Sequence, residues 1–201
     1  MSRSQRTLRA AVEFSGVGLH SGKVVRGRAL PAPQGSGIEF VRTDVADGQP
    51  IPARIQYRVQ ADLRTRLKRG ESEVETVEHL LAVCSGLGVD NLRIEMDGPE
   101  MPGLDGSALE FVRLFKNVGL VEQRAEARAF RLEQPIYVRD GAATLVALPA
   151  ERPTLTLQYI ASFDDPTIQG GSLQLEITPE SFEREIAPAR TFCLAPEVEK
   201  L

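Results

Sequence analysis

The sequence predicts an α+β fold laid out as two consecutive units, residues 1–122 and 129–201, on three observations. In the first stretch, short apolar runs that read as strands come before apolar runs of helical period. A charged segment without apolar period, residues 121–128, separates that stretch from the next. The next stretch then repeats the strands-then-helix order, opening on an Asp140-Gly141 hairpin signal.

Element by element, apolar runs at 8–14, 24–30, 38–41 and 51–55 are broken by Gly- and Pro-bearing turns and read as strands. Ser72 and Glu75 have capping-box spacing ahead of Val77, Leu80, Leu81 and Cys84, which recur at i, i+3, i+4 and i+7. A helix is therefore expected near 76–86, ending at Gly86 or Gly88. Leu92, Ile94 and Met96 alternate with Arg93 and Glu95, as in a half-buried strand, and Asp97-Gly98-Pro99 turns the chain. A second capping box, Ser107 with Glu110, opens a helix near 107–118 that buries Leu109, Val112 and Phe115 and stops at Gly119.

In the second unit, 136–139 and 144–148 flank the Asp-Gly turn. Leu155, Leu157 and Tyr159 alternate, as do Leu173, Leu175 and Ile177, giving two further strands. Thr178-Pro179 has the form of an N-cap followed by proline, starting a helix to about Ile186. No sequence repeat links the two units.

Composition narrows the function. With 42% hydrophobic and 26% charged residues the chain is ordinary globular material. A net charge of -4, a pI near 5.4 and only 5% aromatics argue against a nucleic-acid partner, which needs basic grooves and stacking platforms. The basic start is followed by Ala10-Ala11-Val12 and then Glu13, with no apolar core of a signal peptide, and no run approaches the ~18 residues of a membrane span. The expected location is cytoplasmic. In that compartment Cys84 and Cys193 are expected to be reduced packing residues.

Few residues could carry chemistry. Glu78 and His79 stand side by side at the start of a helix whose other face is apolar, which suits either a half-exposed structural pair or a cleft. The pair is not His-Glu-x-x-His, and the second histidine, His20, lies far off in Gly16-Val17-Gly18-Leu19-His20-Ser21-Gly22. That segment departs from the dinucleotide pattern at Ser21 and reads equally as a tight connection between strands. Arg64, Arg66, Lys68 and Arg69 could meet a phosphate or line a solvated edge strand. Thr191, after the last expected helix, could cap backbone or polarise a carbonyl.

The strings TVEHLLAVCSGLGVDN at 76–91 and DGPEMPGLDGSA at 97–108 are accompanied in matching order by GVGLHSG at 16–22, VRTD at 41–44 and ARTF at 189–192. Together they resemble the UDP-3-O-acyl-N-acetylglucosamine deacetylase family over essentially all of the chain. The resemblance implies a zinc hydrolase of two αβ domains whose sheets sandwich the helices, here with the second domain incomplete. The implied reaction removes the N-acetyl group from UDP-3-O-acyl-N-acetylglucosamine, the committed step of lipid A synthesis. It makes His79 a zinc ligand, Glu78 the general base and Thr191 the stabiliser of the oxyanion, and sets His20 and Phe192 near the substrate. The family's other zinc ligands, in a His-Lys-x-x-Asp-x-x-x-Asp motif, and its general acid are expected after ARTF, which makes this chain a portion of the enzyme. The alternative is a non-catalytic binding or regulatory relative that keeps the fold.

Overall fold

A computed structural model describes residues 3–163 and 169–192. Up to residue 126 the chain runs β1 (Ser4–Leu8), β2 (Val12–Val17), β3 (Val24–Pro31), β4 (Ile38–Arg42), β5 (Ile51–Pro52), β6 (Arg58–Val59), β7 (Arg66–Arg69), β8 (Ser72–Glu75), α1 (Glu78–Leu87), β9 (Leu92–Met96), α2 (Leu109–Val118) and β10 (Leu120–Glu126). Its centre is a five-stranded sheet in the order β2-β3-β9-β4-β5, antiparallel except where β4 runs parallel to β9.

One face of that sheet buries Val25, Phe40, Leu92, Ile94 and Met96 in a core shared with Leu80, Val83 and Cys84 of α1 and Phe111, Val112 and Phe115 of α2. Phe14 meets Phe111 edge-on at 5.7 Å, in the geometry the ring quadrupoles favour. The alternate side chains of the same strands form an ion-pair ladder. Arg28 reaches Glu95 at 2.7 Å, Arg93 reaches Glu95 at 3.0 Å, and Arg93 reaches Glu39 at 2.8 Å. The charged and apolar alternation in β9 is thus the signature of a sheet with one face in the core.

Two helix-cap expectations need correction. Ser72 and Glu75 do not cap a helix: they lie in β8, paired with β7, because Arg64 and Arg66 draw the Glu75 carboxylate into the hairpin at 2.5 and 2.9 Å. At α2 the box is not made, and Ala108 takes the cap position without a side-chain cap. Ser107 Oγ accepts the Leu109 N–H at 3.1 Å, but Glu110 pairs with Arg113 instead of reaching back. The charged segment at 121–126 is a strand, β10, antiparallel to β1 in the register Arg6↔Glu122. The basic stretch is engaged by groups of the same chain: Arg64 and Arg66 hold Glu75, the exposed Lys68 faces Glu73 at 3.9 Å, and Arg69 donates to the Pro50 carbonyl at 2.9 Å.

Beyond β10, β11 (Ile136–Asp140) pairs with β12 (Ala143–Ala147), and β13 (Leu155–Ala161) with β14 (Gly171–Ile177). Each is a two-stranded antiparallel hairpin, and Tyr137, Val138, Leu145, Leu157 and Tyr159 stay exposed on them. Thr178 then caps α3 (Pro179–Ser181) as expected. Thr178 Oγ1 accepts the Ser181 N–H at 3.1 Å and Ser181 Oγ accepts the Thr178 N–H at 2.8 Å. The chain continues as a π-helical turn, Phe182–Ile186, which seats Phe182 against Gly86 of α1. The Ala108 N–H donates to the Ala187 carbonyl at 3.0 Å, so this last turn is fixed to both α1 and the start of α2. Cys84 is buried and free, and Cys193 lies outside the described residues.

Candidate functional site

Glu78 and His79 form the first turn of α1 and are half-buried. The helix does not start on a side-chain cap. Val77 occupies the cap position, and the residue before it, Thr76, has φ +56°, in the left-handed region where a β-branched residue is a true outlier. Such strain persists only where neighbours over-determine it. Here they do. The Glu75 N–H donates to the Pro99 carbonyl at 2.8 Å, the Met101 N–H donates to the Glu75 carbonyl at 3.0 Å, and Thr76 Oγ1 donates to Glu100 Oε1 at 3.1 Å. Glu78 itself is oriented by the Thr65 N–H, which donates to its Oε2 at 3.0 Å.

His20 is half-buried in the connection from β2 to β3. Its N–H donates to Glu100 Oε1 at 2.9 Å and the Ser21 N–H donates to Glu100 Oε2 at 2.8 Å. Farther along the same 97–108 segment, the Gly103 N–H donates to the Val17 carbonyl at 2.9 Å, and the Gly106 carbonyl accepts the Thr191 N–H at 2.8 Å. Asp105 accepts the N–H and hydroxyl of Ser107 at 3.0 and 2.7 Å, which hold its carboxyl below the ordinary aspartate range, and Arg190 stands 3.8 Å away. The 97–108 segment is therefore a common support. One end carries His20 and the lead-in to Glu78 and His79, and the other carries Thr191.

Among the described residues no hydrogen bond joins two of these side chains directly, so what the fold brings together are their backbones. Thr191 and Phe192 are exposed, and Phe192 meets Phe163 edge-on at 5.9 Å. A groove of about 630 Å³ lined by Glu13, Phe14, Arg26, Arg28, Thr43 and Glu95 includes none of the five.

Sequence patterning alone does not mark Glu100, Thr76 or Thr65. Two of the atoms that reach Glu100 are backbone N–H groups some 80 residues away, and no side-chain pattern encodes them. The one available signal was a glutamate set between Pro99 and Met101 in a Gly- and Pro-rich turn.

The fold and this support define an α+β protein with an acid–histidine pair at a strained helix start. The chain belongs to the UDP-3-O-acyl N-acetylglycosamine deacetylase family, whose profile it matches over residues 5–201. It is 46% identical over 202 residues to a UDP-3-O-acyl-N-acetylglucosamine deacetylase of Nostoc sp., covering 98% of this chain and 71% of the relative. Deacetylases of the same name from Anaeromyxobacter sp. and Myxococcus xanthus are 41% and 44% identical, with 98% and 100% of this chain covering 64% and 63% of theirs. The chain thus spans about two thirds of the length of the curated relatives it matches.

A catalytic zinc takes three protein ligands and an open position. Among the described residues no group of three or more His, Cys, Asp or Glu side chains is placed to hold a metal ion. These residues therefore do not fit a complete zinc centre. Cys84 lies buried in the hydrophobic core beside Leu80, Val83 and Leu87, where burial pushes its thiol up to about 12. Among the described residues no helix is long and apolar enough to cross a membrane.

Proposed function

We propose that the protein containing this chain hydrolyses the N-acetyl amide of UDP-3-O-acyl-N-acetylglucosamine, the committed step of lipid A synthesis, in the cytoplasm. The observation that carries the reading is the 97–108 support, which ties the lead-in to Glu78 and His79, the His20 loop and the Thr191 segment into one connected unit.

In this reading Glu78 is the general base. Water attacks the acetamide carbonyl carbon and gives up a proton to the Glu78 carboxylate, held in orientation by Thr65. The carbon–nitrogen bond then breaks as the leaving nitrogen takes up a proton from a general acid, releasing acetate and the amine. The Thr191 hydroxyl donates to the oxygen that gains charge during attack. His20 and Phe192 contact the substrate.

Zinc dependence belongs to the same proposal, with His79 as one ligand and the remaining ligands and a general acid supplied by sequence not present in this chain. The relatives' greater length supports it, as do the exposed apolar side chains of the β11–β12 and β13–β14 hairpins, since folded proteins seldom leave large apolar patches uncovered. The test is acetate release by the protein expressed from the complete reading frame. Glu78→Gln should lower kcat by at least ~100-fold, as loss of a general base does, with little change in KM. Full turnover in that variant would refute the assignment.

A further inference from the structure

We propose that Glu100 is a positioning residue: its buried carboxylate fills a nest of N–H groups in the 16–22 loop and, through Thr76, fixes the start of α1. This sets His20 and the Glu78–His79 pair in one register. The catalytic consequence rests on the deacetylase reading above, and the tether itself does not.

Glu100 is 2% exposed, and among the described residues no lysine or arginine pairs with it. A buried carboxylate without a counter-charge is tolerated only if hydrogen bonds replace its water. Both oxygens are so occupied: Oε1 by the His20 N–H and the Thr76 hydroxyl, Oε2 by the Ser21 N–H. Burial acts to raise its pKa. The donors from His20, Ser21 and Thr76 together outweigh burial, so the group sits below the ordinary glutamate value and stays ionised near neutral pH.

Gly18 is part of the same device. A Cβ there would stand 2.8 Å from the Glu100 carboxyl carbon, so only glycine lets the carboxylate enter the loop. The loop spends the His20 and Ser21 N–H groups on a carboxylate of its own chain.

The geometry also explains why a glutamine would not serve. Its amide has one acceptor oxygen and one NH₂ group, and either orientation turns the NH₂ toward a backbone N–H, that of His20 or that of Ser21. The freed loop would let Thr76 relax from its left-handed conformation, and α1 begins two residues later.

The experiment compares Glu100→Gln with wild type, expressed from the complete reading frame, by residue-resolved amide hydrogen exchange and by steady-state deacetylation. The His20 and Ser21 amides should exchange at least ~10-fold faster while those of β9 keep their protection. The kcat should fall by roughly 100-fold with little change in KM, as expected for misplaced reacting groups. Gly18→Ala, which keeps the carboxylate but displaces it, should loosen the same two amides and serves where Glu100→Gln fails to fold. Formate added to Glu100→Ala should restore both protection and kcat by refilling the nest. Unchanged exchange at His20 and Ser21 would overturn the tether. Loosened amides with unchanged kcat would overturn the positioning role. A wild type without turnover would count against the deacetylase reading alone, and exchange would still decide the tether.

Discussion

Replacing Gly86 by alanine should destabilise the protein by about 1–2 kcal/mol, against the usual sign of a Gly→Ala change inside a helix. Gly86 lies in α1 under the ring of Phe182, and a Cβ at that position would stand 2.6 Å from Phe182 Cδ2. The ring would have to retreat by about 1 Å to reach ordinary carbon–carbon contact near 3.5 Å. It has little room, because Phe182 is 4% exposed and held in a π-helical turn whose end bonds to Ala108. Helix propensity contributes ~1 kcal/mol in favour of alanine, and overpacking costs up to about 3 kcal/mol. In a Phe182→Ala background, itself costing about 3–5 kcal/mol, the clash disappears and only the propensity gain remains. The assay is urea unfolding of the four proteins of this double-mutant cycle, read from midpoints at constant m. The coupling should be about 2–3 kcal/mol. A Gly86→Ala variant that is more stable than wild type, or equally affected in both backgrounds, would refute the seating of Phe182 on α1.

Three further outcomes follow from the same geometry. Glu95, held by Arg28 with help from Arg93, and Glu100, in its nest, both have folded pKa values below the unfolded ones. The folded state therefore binds fewer protons. Their stabilisation is present above the unfolded glutamate value and is lost as pH falls through the folded values, so unfolding free energy should drop below about pH 4.5 and Glu95→Gln should flatten that acid limb. Thr76→Gly should be about 1 kcal/mol more stable than Thr76→Ala, because both lose the bond to Glu100 but only glycine relieves the φ of +56°; chemical denaturation of the pair reads the difference. Cys84, buried with its thiol pushed up to about 12, should resist iodoacetamide in the native protein and react at the rate of unfolding, measured in a Cys193→Ser background.

Local signals were legible in the sequence. The alternation in β9, the β11–β12 hairpin at Asp140-Gly141 and the Thr178-Pro179 start of α3 all depend on neighbours within a few residues, and each appears where the pattern placed it. Long-range competition hid the rest. Ser72 and Glu75 satisfy capping-box spacing, but Arg64 and Arg66 offer Glu75 a stronger, charge-assisted partner, and the segment becomes β8. The charges of β10 obscure a strand whose alternate residues Val121, Gln123 and Ala125 are half-buried beside β1. At the site, Glu78 and His79 stood out as ionisable neighbours on a helix with an apolar face. Their support did not, since Glu100 works through backbone donors and the left-handed Thr76 has no compositional mark.

The most direct test of the account is zinc stoichiometry and deacetylase turnover measured together for wild type and His79→Ala, both expressed from the complete reading frame. The wild type should bind zinc and release acetate, and a folded His79→Ala variant should do neither. A folded variant that keeps stoichiometric zinc and full turnover would contradict it, and would place the reacting centre away from the start of α1.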